Sequence, residues 1–476
     1  LGEVPKEMFA VGSPAQVAGS ARGPLISKQA PQIACWSFGY SITGMIISAL
    51  PVFAVAFGLA ALTPLARRTD DAGAGWLLGW APALAVFAFL VLALLILILV
   101  RLLSIRLDSG IYPVHSRSAW QVWTTVRLLD EARTWLFPVY SSLLTPTWLR
   151  ALGADIGRDV EASTVLMLPS MTTVREGAFL ADDTMLGMYE LGGGWLRVEP
   201  VLIGKHAFVG NSGMAAPGRK VPKRGLVAVL SAAPRRTEAK KGTSWLGSPP
   251  THLRRTVQDI DQERTYAPPF RLRLARAGFE LARVLPVAIQ GLLAAAWAVS
   301  VSVVAHWFGW GWAILTAGPA LAIAGILAAL IATAAKWLIV GKLSSGSRPL
   351  WHSMVWRGEL ADSFVEVLAA GWFCSWASGT PLLNWWLRTL GARIGRGVWT
   401  ESYWLPEPDL ITIGDGATVN RGCVVQTHLF HDRILGMDLV ELKTGATLGP
   451  HSVVLPAAVI GRHATVGPGS LVMRGE

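Results

Sequence analysis

The chain has 476 residues, of which 52% are hydrophobic and only 15% charged, and it carries a formal net charge of +11. A mean hydropathy of +0.44 and a charged fraction well under the ~25% of soluble domains exclude a purely water-soluble protein, and the length exceeds what one hydrophobic core fills. Cys35, Cys374 and Cys423 are too far apart for a disulfide framework or a cysteine zinc site, and no helix-turn-helix or basic-aromatic groove points to nucleic acid.

Taken along the chain, residues 38–66 and 76–103 are apolar runs, and 283–307 with 312–340 form a second pair. Each run reaches the ~20 residues that cross a bilayer, and short linkers make each pair a transmembrane hairpin, over 36–106 and 271–342. The second linker is little more than Gly309-Trp310-Gly311. Basic residues follow both hairpins (Arg101 and Arg106; Lys336 and Lys342) and crowd the stretch 217–264. By the positive-inside bias this predicts a multi-pass cell-membrane protein with cytoplasmic soluble parts that touch acidic lipid.

Self-comparison shows a duplication. Trp148-Leu-Arg-Ala-Leu-Gly-Ala-Asp-Ile-Gly-Arg-Asp-Val recurs as Trp386-Leu-Arg-Thr-Leu-Gly-Ala-Arg-Ile-Gly-Arg-Gly-Val, and Asp108-Ser-Gly, Pro113 and Trp120 are matched by Ser345-Gly, Pro349 and Trp356. The unit is a hairpin, a helical connector (107–150 and 343–388) and a soluble module (151–270, with a basic loop, and 389–476), repeated at about 238 residues. Inside each module an aliphatic residue returns about every six positions with a small residue behind it, as in Ile413-Gly-Asp-Gly-Ala-Thr-Val and Val459-Ile-Gly-Arg-His-Ala-Thr-Val-Gly. The predicted fold class is therefore membrane α-helical hairpins plus tandem left-handed parallel β-helix (hexapeptide-repeat) modules. The stretches Asn211-Ser-Gly-Met and Trp245-Leu-Gly-Ser-Pro-Pro are expected to form a loop around the first module. Val4-Pro-Lys-Glu-Met-Phe-Ala-Val-Gly-Ser-Pro-Ala resembles the closing turn of hexapeptide acyltransferases, so residues 1–20 are expected to be the tail of a preceding module. The second module is expected to stop short of its own closing turn.

The stretches Ile203-Gly-Lys-His-Ala-Phe-Val-Gly-Asn-Ser, Ser244-Trp-Leu-Gly-Ser-Pro-Pro and Val425-Gln-Thr-His-Leu-Phe-His-Asp-Arg, with the alternating hairpins and modules, resemble the C-terminal membrane region of non-ribosomal peptide synthetases of the ε-poly-L-lysine type. The resemblance implies tandem acyltransferase-like modules that form amide bonds. It also implies adenylation and carrier domains upstream on the same polypeptide as partners, and a carrier 4′-phosphopantetheine arm as the cofactor, with nothing bound covalently in this chain. Homo-oligomerisation is left open. Neither an adenylation signature nor a carrier serine motif stands in this sequence, and the usual peptide-synthetase condensation mechanism is not assumed.

Amide formation needs a base for the amine and help for the oxyanion. His428 is the first choice of base, in a polar insertion after the Cys423-Val-Val strand, with His431 second; Asp432 could orient an imidazole and Arg433 neutralise a phosphate or oxyanion. Gln426, Thr427, His206 and Asn211 are candidate substrate-binding residues, although His206 and His463 also read as rim residues of a coil and His451 as a stacking residue. The corresponding part of the first module, Met185-Leu-Gly-Met-Tyr-Glu-Leu-Gly-Gly-Gly-Trp, has no histidine. No metal site is expected. A non-catalytic scaffold and a stand-alone acyltransferase using coenzyme A are the competing readings. A transporter fits poorly, since the apolar runs hold almost no ionisable residue.

Overall fold

The computed structural model describes residues 4–11, 16–20, 28–66, 74–254, 265, 268–431 and 433–474. Among them, four helical stretches are long and apolar enough to cross a membrane: Ala34–Leu62, Gly75–Leu103, Phe270–Phe308 and Trp310–Ile339. Their large side chains face outward all round, with Phe38 69%, Leu90 59% and Leu338 84% exposed. A helix in water would bury such a surface, whereas one in lipid has no reason to. The third stretch is made of two helices. A charged helix, Phe270–Ala282, precedes the apolar helix Leu285–Phe308. The second linker is also shorter than expected: Trp310 already belongs to the next helix, Trp310–Ile339, and Gly309 alone makes the turn at φ 85°. Small residues allow close approach inside the membrane layer. A methyl group on Gly291 would strike Ala85 and the Ala81 carbonyl, and one on Gly325 would strike the Trp372 carbonyl.

The chain folds as two compact units, one of residues 1–50 and 93–257, the other of 51–92 and 258–476. In the second unit, short strands six or seven residues apart fall in turn on three parallel sheets. Arg393–Ile394, Ile411–Ile413, Val440–Leu442 and Val459–Ile460 stack in one; Trp399–Thr400, Thr418–Val419, Thr447–Leu448 and Thr465–Val466 in another; Val424–Val425, Val453–Val454 and Leu471–Val472 in the third. The aliphatic of each hexad points inward, so that Ile413, Leu442, Val419, Leu448, Val425 and Val454 are buried in ladders. The first unit repeats the plan with Ile156, Val174, Ile203 and Val221 in one ladder and Ala162, Leu180, Val209 and Val227 in the next. At the corners His206, His451 and His463 take positive φ, and each ring lies over a glycine of the preceding turn: Gly177, Gly422 and Gly445. Only a residue without Cβ leaves that space open.

Several expectations are revised. The stretches expected to loop around the first module are strands of it: Met214–Ala215 pairs with Met185–Leu186, and Ser244–Leu246 with Leu226–Val227. Ala215 and Ser244 are small enough to point inward, and both are buried. Within the basic stretch Lys220 lies on strand Lys220–Val221, whereas Arg235, Arg236, Lys240 and Lys241 lie on the segment between strands Leu226–Val227 and Ser244–Leu246; residues 255–264 lie outside the described residues. Residues Met8–Val11 and Gln16–Ser20 form an antiparallel pair. The 343–388 connector is not purely helical. It begins with strand Gly346–Pro349, and its helix Ser353–Phe364 continues as a π-helix, Val365–Cys374.

The duplicated motif has a structural purpose. Arg150 donates through Nε to Ile156 O at 2.8 Å and through Nη2 to Gly157 O at 2.6 Å; Arg388 does the same to Ile394 O and Gly395 O at 2.9 and 2.6 Å. The arginine shared by the two copies thus caps carbonyls of the first coil turn. A second pair of caps closes the hairpins. Gln121 donates to the Leu103 and Ile105 carbonyls at 2.9 and 3.1 Å, and Arg357 donates to Ile339 O, satisfying helix C-terminal acceptors. In the second unit Lys336 Nζ meets Asp409 Oδ2 at 2.8 Å, with both side chains almost fully buried. Asp409→Ala would strand that ammonium and should cost roughly 3–5 kcal/mol, whereas the double change Lys336→Met/Asp409→Leu should cost much less. Thermal unfolding of the detergent-solubilised chain checks the difference, and equal destabilisation by both variants would refute it.

Candidate functional site

Each coil is interrupted once by an antiparallel leaf. In the second module strand His428–His431 turns back as Ile434–Met437, which pairs in turn with Gly346–Pro349 of the connector. The expected polar insertion is therefore an ordered hairpin. Thr427, fully buried, is the last coil residue before it, and its carbonyl accepts from Asp438 N at 2.9 Å. His428 thus sits where the hairpin leaves the coil, a position that fixes its backbone.

Its ring is oriented by a residue not anticipated from the sequence. Nδ1 of His428 lies 2.8 and 2.9 Å from the two carboxylate oxygens of Glu407. Thr427 Oγ1 donates to Glu407 Oε2, and Glu407 N donates back to Thr427 Oγ1 at 3.3 Å. Glu407 precedes the 3-10 turn Pro408–Leu410, so proline stiffness on one side and threonine on the other hold the carboxylate. An imidazole that donates a hydrogen bond from Nδ1–H to a carboxylate presents its lone pair at Nε2 and gains stability when protonated there.

Further carboxylates come from the connector. Glu359, Asp362 and Glu366 recur at helical spacing, i, i+3 and i+7, so they share a face. Tyr403 OH donates to Glu366 Oε2 at 3.3 Å, at the first turn of the π-helix, a helix type that is rare and concentrated at functional sites. Glu359 lies 3.7 Å from Arg276, itself 3.5 Å from Glu280, which also meets Arg283 at 3.4 Å. Desolvation, reinforced by the neighbouring Glu407 charge and partly opposed by His428, pushes the Asp362 carboxyl well above the usual range. This environment favours the protonated carboxyl.

The first module has the same leaf without this chemistry. Its strands Glu190–Gly192 and Trp195–Val198 pair with Gly110–Pro113, and Glu190 faces Arg197 as Leu429 faces Gly436. Tyr189 therefore stands where His428 does. The Pro169 turn puts Leu168 in the place of Glu407, and the Trp120–Trp356 match puts Trp123 and Val126 where Glu359 and Asp362 stand. Tyr189 packs against a cluster of Leu168, Val122, Met171, Leu196 and Val198, and the ring of Trp123 meets Tyr40 at 4.9 Å. One copy holds an apolar plug and the other a set of ionisable groups.

The remaining anticipated residues fall as follows. Gln426 and Thr427 are buried at the hairpin base, the first with its backbone N–H donated to Val454 O at 2.8 Å. His431 ends strand His428–His431, three positions from His428. Arg433, expected to meet a phosphate or oxyanion, is buried at φ 62° with Nη1 3.5 Å from Thr265 O. Asp432 lies outside the described residues. His206 and Asn211 belong to the first module, His206 over Gly177 and the Asn211 carbonyl accepting from Leu230 N at 3.0 Å. Among the described residues no cluster of His, Cys, Asp or Glu could hold a metal. The carboxylate face Glu359, Asp362 and Glu366 was available in the helical spacing, whereas nothing local linked Glu407 to His428.

Compared with known proteins, the chain is 34% identical over 379 residues to the delta-poly-L-ornithine synthetase of Acinetobacter baumannii; the match covers 78% of this chain and 28% of that protein. The chain thus spans under a third of this relative's length. No protein-family model matches. Among solved structures, a maltose O-acetyltransferase from Clostridium difficile is similar over 32% of this chain and 95% of its own, at 12% identity and a TM-score of 0.23. A hexapeptide-repeat containing acetyltransferase from Vibrio cholerae is similar over 29% of this chain and 94% of its own, at 14% identity and a TM-score of 0.21.

The raised Asp362 carboxyl sets a sign for stability. In acid, below the ordinary carboxylate range, folded and unfolded chains both hold the proton. As pH rises, the unfolded chain releases it first, so stability falls until the folded form ionises too. Asp362→Asn should therefore match the parent in acid below the ordinary carboxylate range and gain stability over it as pH rises through and above that range, as thermal unfolding across pH would show. A gain that shrank with rising pH would contradict the assignment.

Proposed function

We propose that this chain is the membrane-mounted, amide-forming part of a poly-amino-acid synthetase, and that its second module joins a carrier-bound acyl group to an amine with His428 as general base. The observation that carries the reading is the His428–Glu407 pair, held by Thr427 at the base of the hairpin. The sequence similarity to a poly-ornithine synthetase supports the polymer-forming context. We read the parallel coils as left-handed hexapeptide prisms, and the hairpins as multi-pass anchors that keep the modules on the cytoplasmic face, where the excess of Lys and Arg belongs.

In this reading the donor is a thioester on the phosphopantetheine arm of a carrier domain that, with an adenylation domain, belongs to the same full polypeptide. The acceptor amine attacks the thioester carbonyl. As the C–N bond forms, its proton passes to Nε2 of His428, and Glu407 stabilises the resulting imidazolium. The C–S bond then breaks, and the imidazolium returns the proton to the departing thiolate. An amine arrives at neutral pH as ammonium and gives one proton to solvent before it attacks; Asp362 keeps its own proton, so the charged carboxylates that favour the amine's approach are Glu366 and Glu359. They suit a cationic amino acid, of which ornithine, named for the relative, is one. The first module, with Tyr189 and Leu168 at the matching positions, serves as scaffold.

In the full-length synthetase, His428→Ala should lower polymer formation by about 10²–10⁴-fold, and Glu407→Gln should lower the rate with little change in amine KM. Tyr189→Phe should leave the rate unchanged. Steady-state polymer synthesis from the free amino acid is the measurement; a His428→Ala enzyme running at the parent rate removes the proposed base.

A further inference from the structure

The first module lacks an acid–base pair at its leaf, yet it holds a charged cavity there. A cavity of ≈ 270 Å³ is lined by Arg197, Arg219, Arg235 and Arg236, with Glu190 and Gly218. Arg197 is fixed as its floor: Nε and Nη2 meet the two carboxylate oxygens of Glu199 at 2.9 and 3.0 Å, and Nη1 meets Glu190 at 3.3 Å. The hydrogen bond from Arg197 and the nearby Arg236 charge hold the Glu199 carboxyl below its usual range, so this network stays ionised. Gly218, at φ 76°, lies against the Glu199 carboxylate so closely that a methyl group there would overlap it. Four guanidinium groups against two carboxylates leave an excess of positive charge. Arg235 and Arg236, both exposed, make no ion pair among the described residues. On the second leaf the residues matching Glu190 and Arg197 are Leu429 and Gly436, by strand register, so the charge is particular to the first module.

We propose that this cavity binds a phosphate ester. Guanidinium forks match phosphate oxygens in pairs, and the cavity has room for a phosphate and a short stem. The phosphate has two sources of the same chemistry. One is a phosphopantetheine arm. The other is an anionic lipid headgroup, since the leaf pairs with Gly110–Pro113, which closely follows membrane helix Ala74–Leu103. The proposal concerns the first module and does not depend on the role of His428.

The test is calorimetric titration of the whole chain in a neutral detergent, separately with pantetheine 4′-phosphate and with short-chain phosphatidylglycerol. Saturable binding of at least one is expected, weakened about tenfold or more in Arg235→Gln/Arg236→Gln, and the tighter ligand names the source. The melting temperature of this surface variant should match the parent, and Gly218→Ala, which displaces Glu199, should weaken binding without removing any arginine. His428→Ala should bind as the parent does, which separates this result from the fate of the proposed base. No saturable binding of either ligand, or parent-like binding by both cavity variants, overturns the proposal.

Discussion

An inward side chain at every coil strand is the constraint on which the rest depends. Each strand of two or three residues has one aliphatic to bury and one backbone edge on each side to satisfy, and parallel stacking on the turns above and below does both at once. Ile413 over Ile394 and under Leu442 is representative. A coil built this way has little freedom for chemistry of its own, because its interior is close-packed and its corners are set by glycine and positive φ. Reactive groups therefore come from places where the chain leaves the coil. The hairpin supplies His428, the proline-flanked segment at 407 supplies its carboxylate, and the connector supplies Asp362 and Glu366.

The duplication is informative because the frame is kept while the filling changes. Arg150 and Arg388 cap the first coil turn through the same two bonds, and both leaves pair with a connector strand. At the corresponding interior positions, one copy places Tyr189, Leu168, Val126 and Trp123, and the other His428, Glu407, Asp362 and Glu359. Burying the second set costs far more than burying the first, since each ionised group gives up hydration and regains only part of it from a partner. A module that tolerates such a set against its apolar twin has been shaped by something other than stability.

Periodicity made the helices and coils legible. The apolar runs mark the spans, and the hexad spacing marks the strands, because both signals are local and repeat. The leaf was not legible. Its outer strand at Gly346 pairs with Met437, a partner far away in sequence, and the tetrapeptide Gly-Ser-Arg-Pro has no strand character of its own. For the same reason His428 could be singled out as a base while its orienting carboxylate was sought in the neighbouring Asp432 instead of Glu407. Chemistry assembled by long-range folding leaves only half of itself in any one stretch of sequence. The basic stretch divides: small inward residues, Ala215 and Ser244, keep the hexad at its two sides, while Arg235, Arg236, Lys240 and Lys241 lie on the segment between strands Leu226–Val227 and Ser244–Leu246.

The one-residue turn at Gly309 bears on how the chain reaches a bilayer. From Leu285 to Ala335 the sequence has no titratable side chain except His306, and the turn itself exposes Trp307, Trp310 and Trp312. Nothing charged must be carried across with the tip, and a single glycine cannot separate the two helices. They are thus suited to entering lipid together, as one folded pair rather than one after the other, with tryptophans at the tip of a kind that favours headgroup layers.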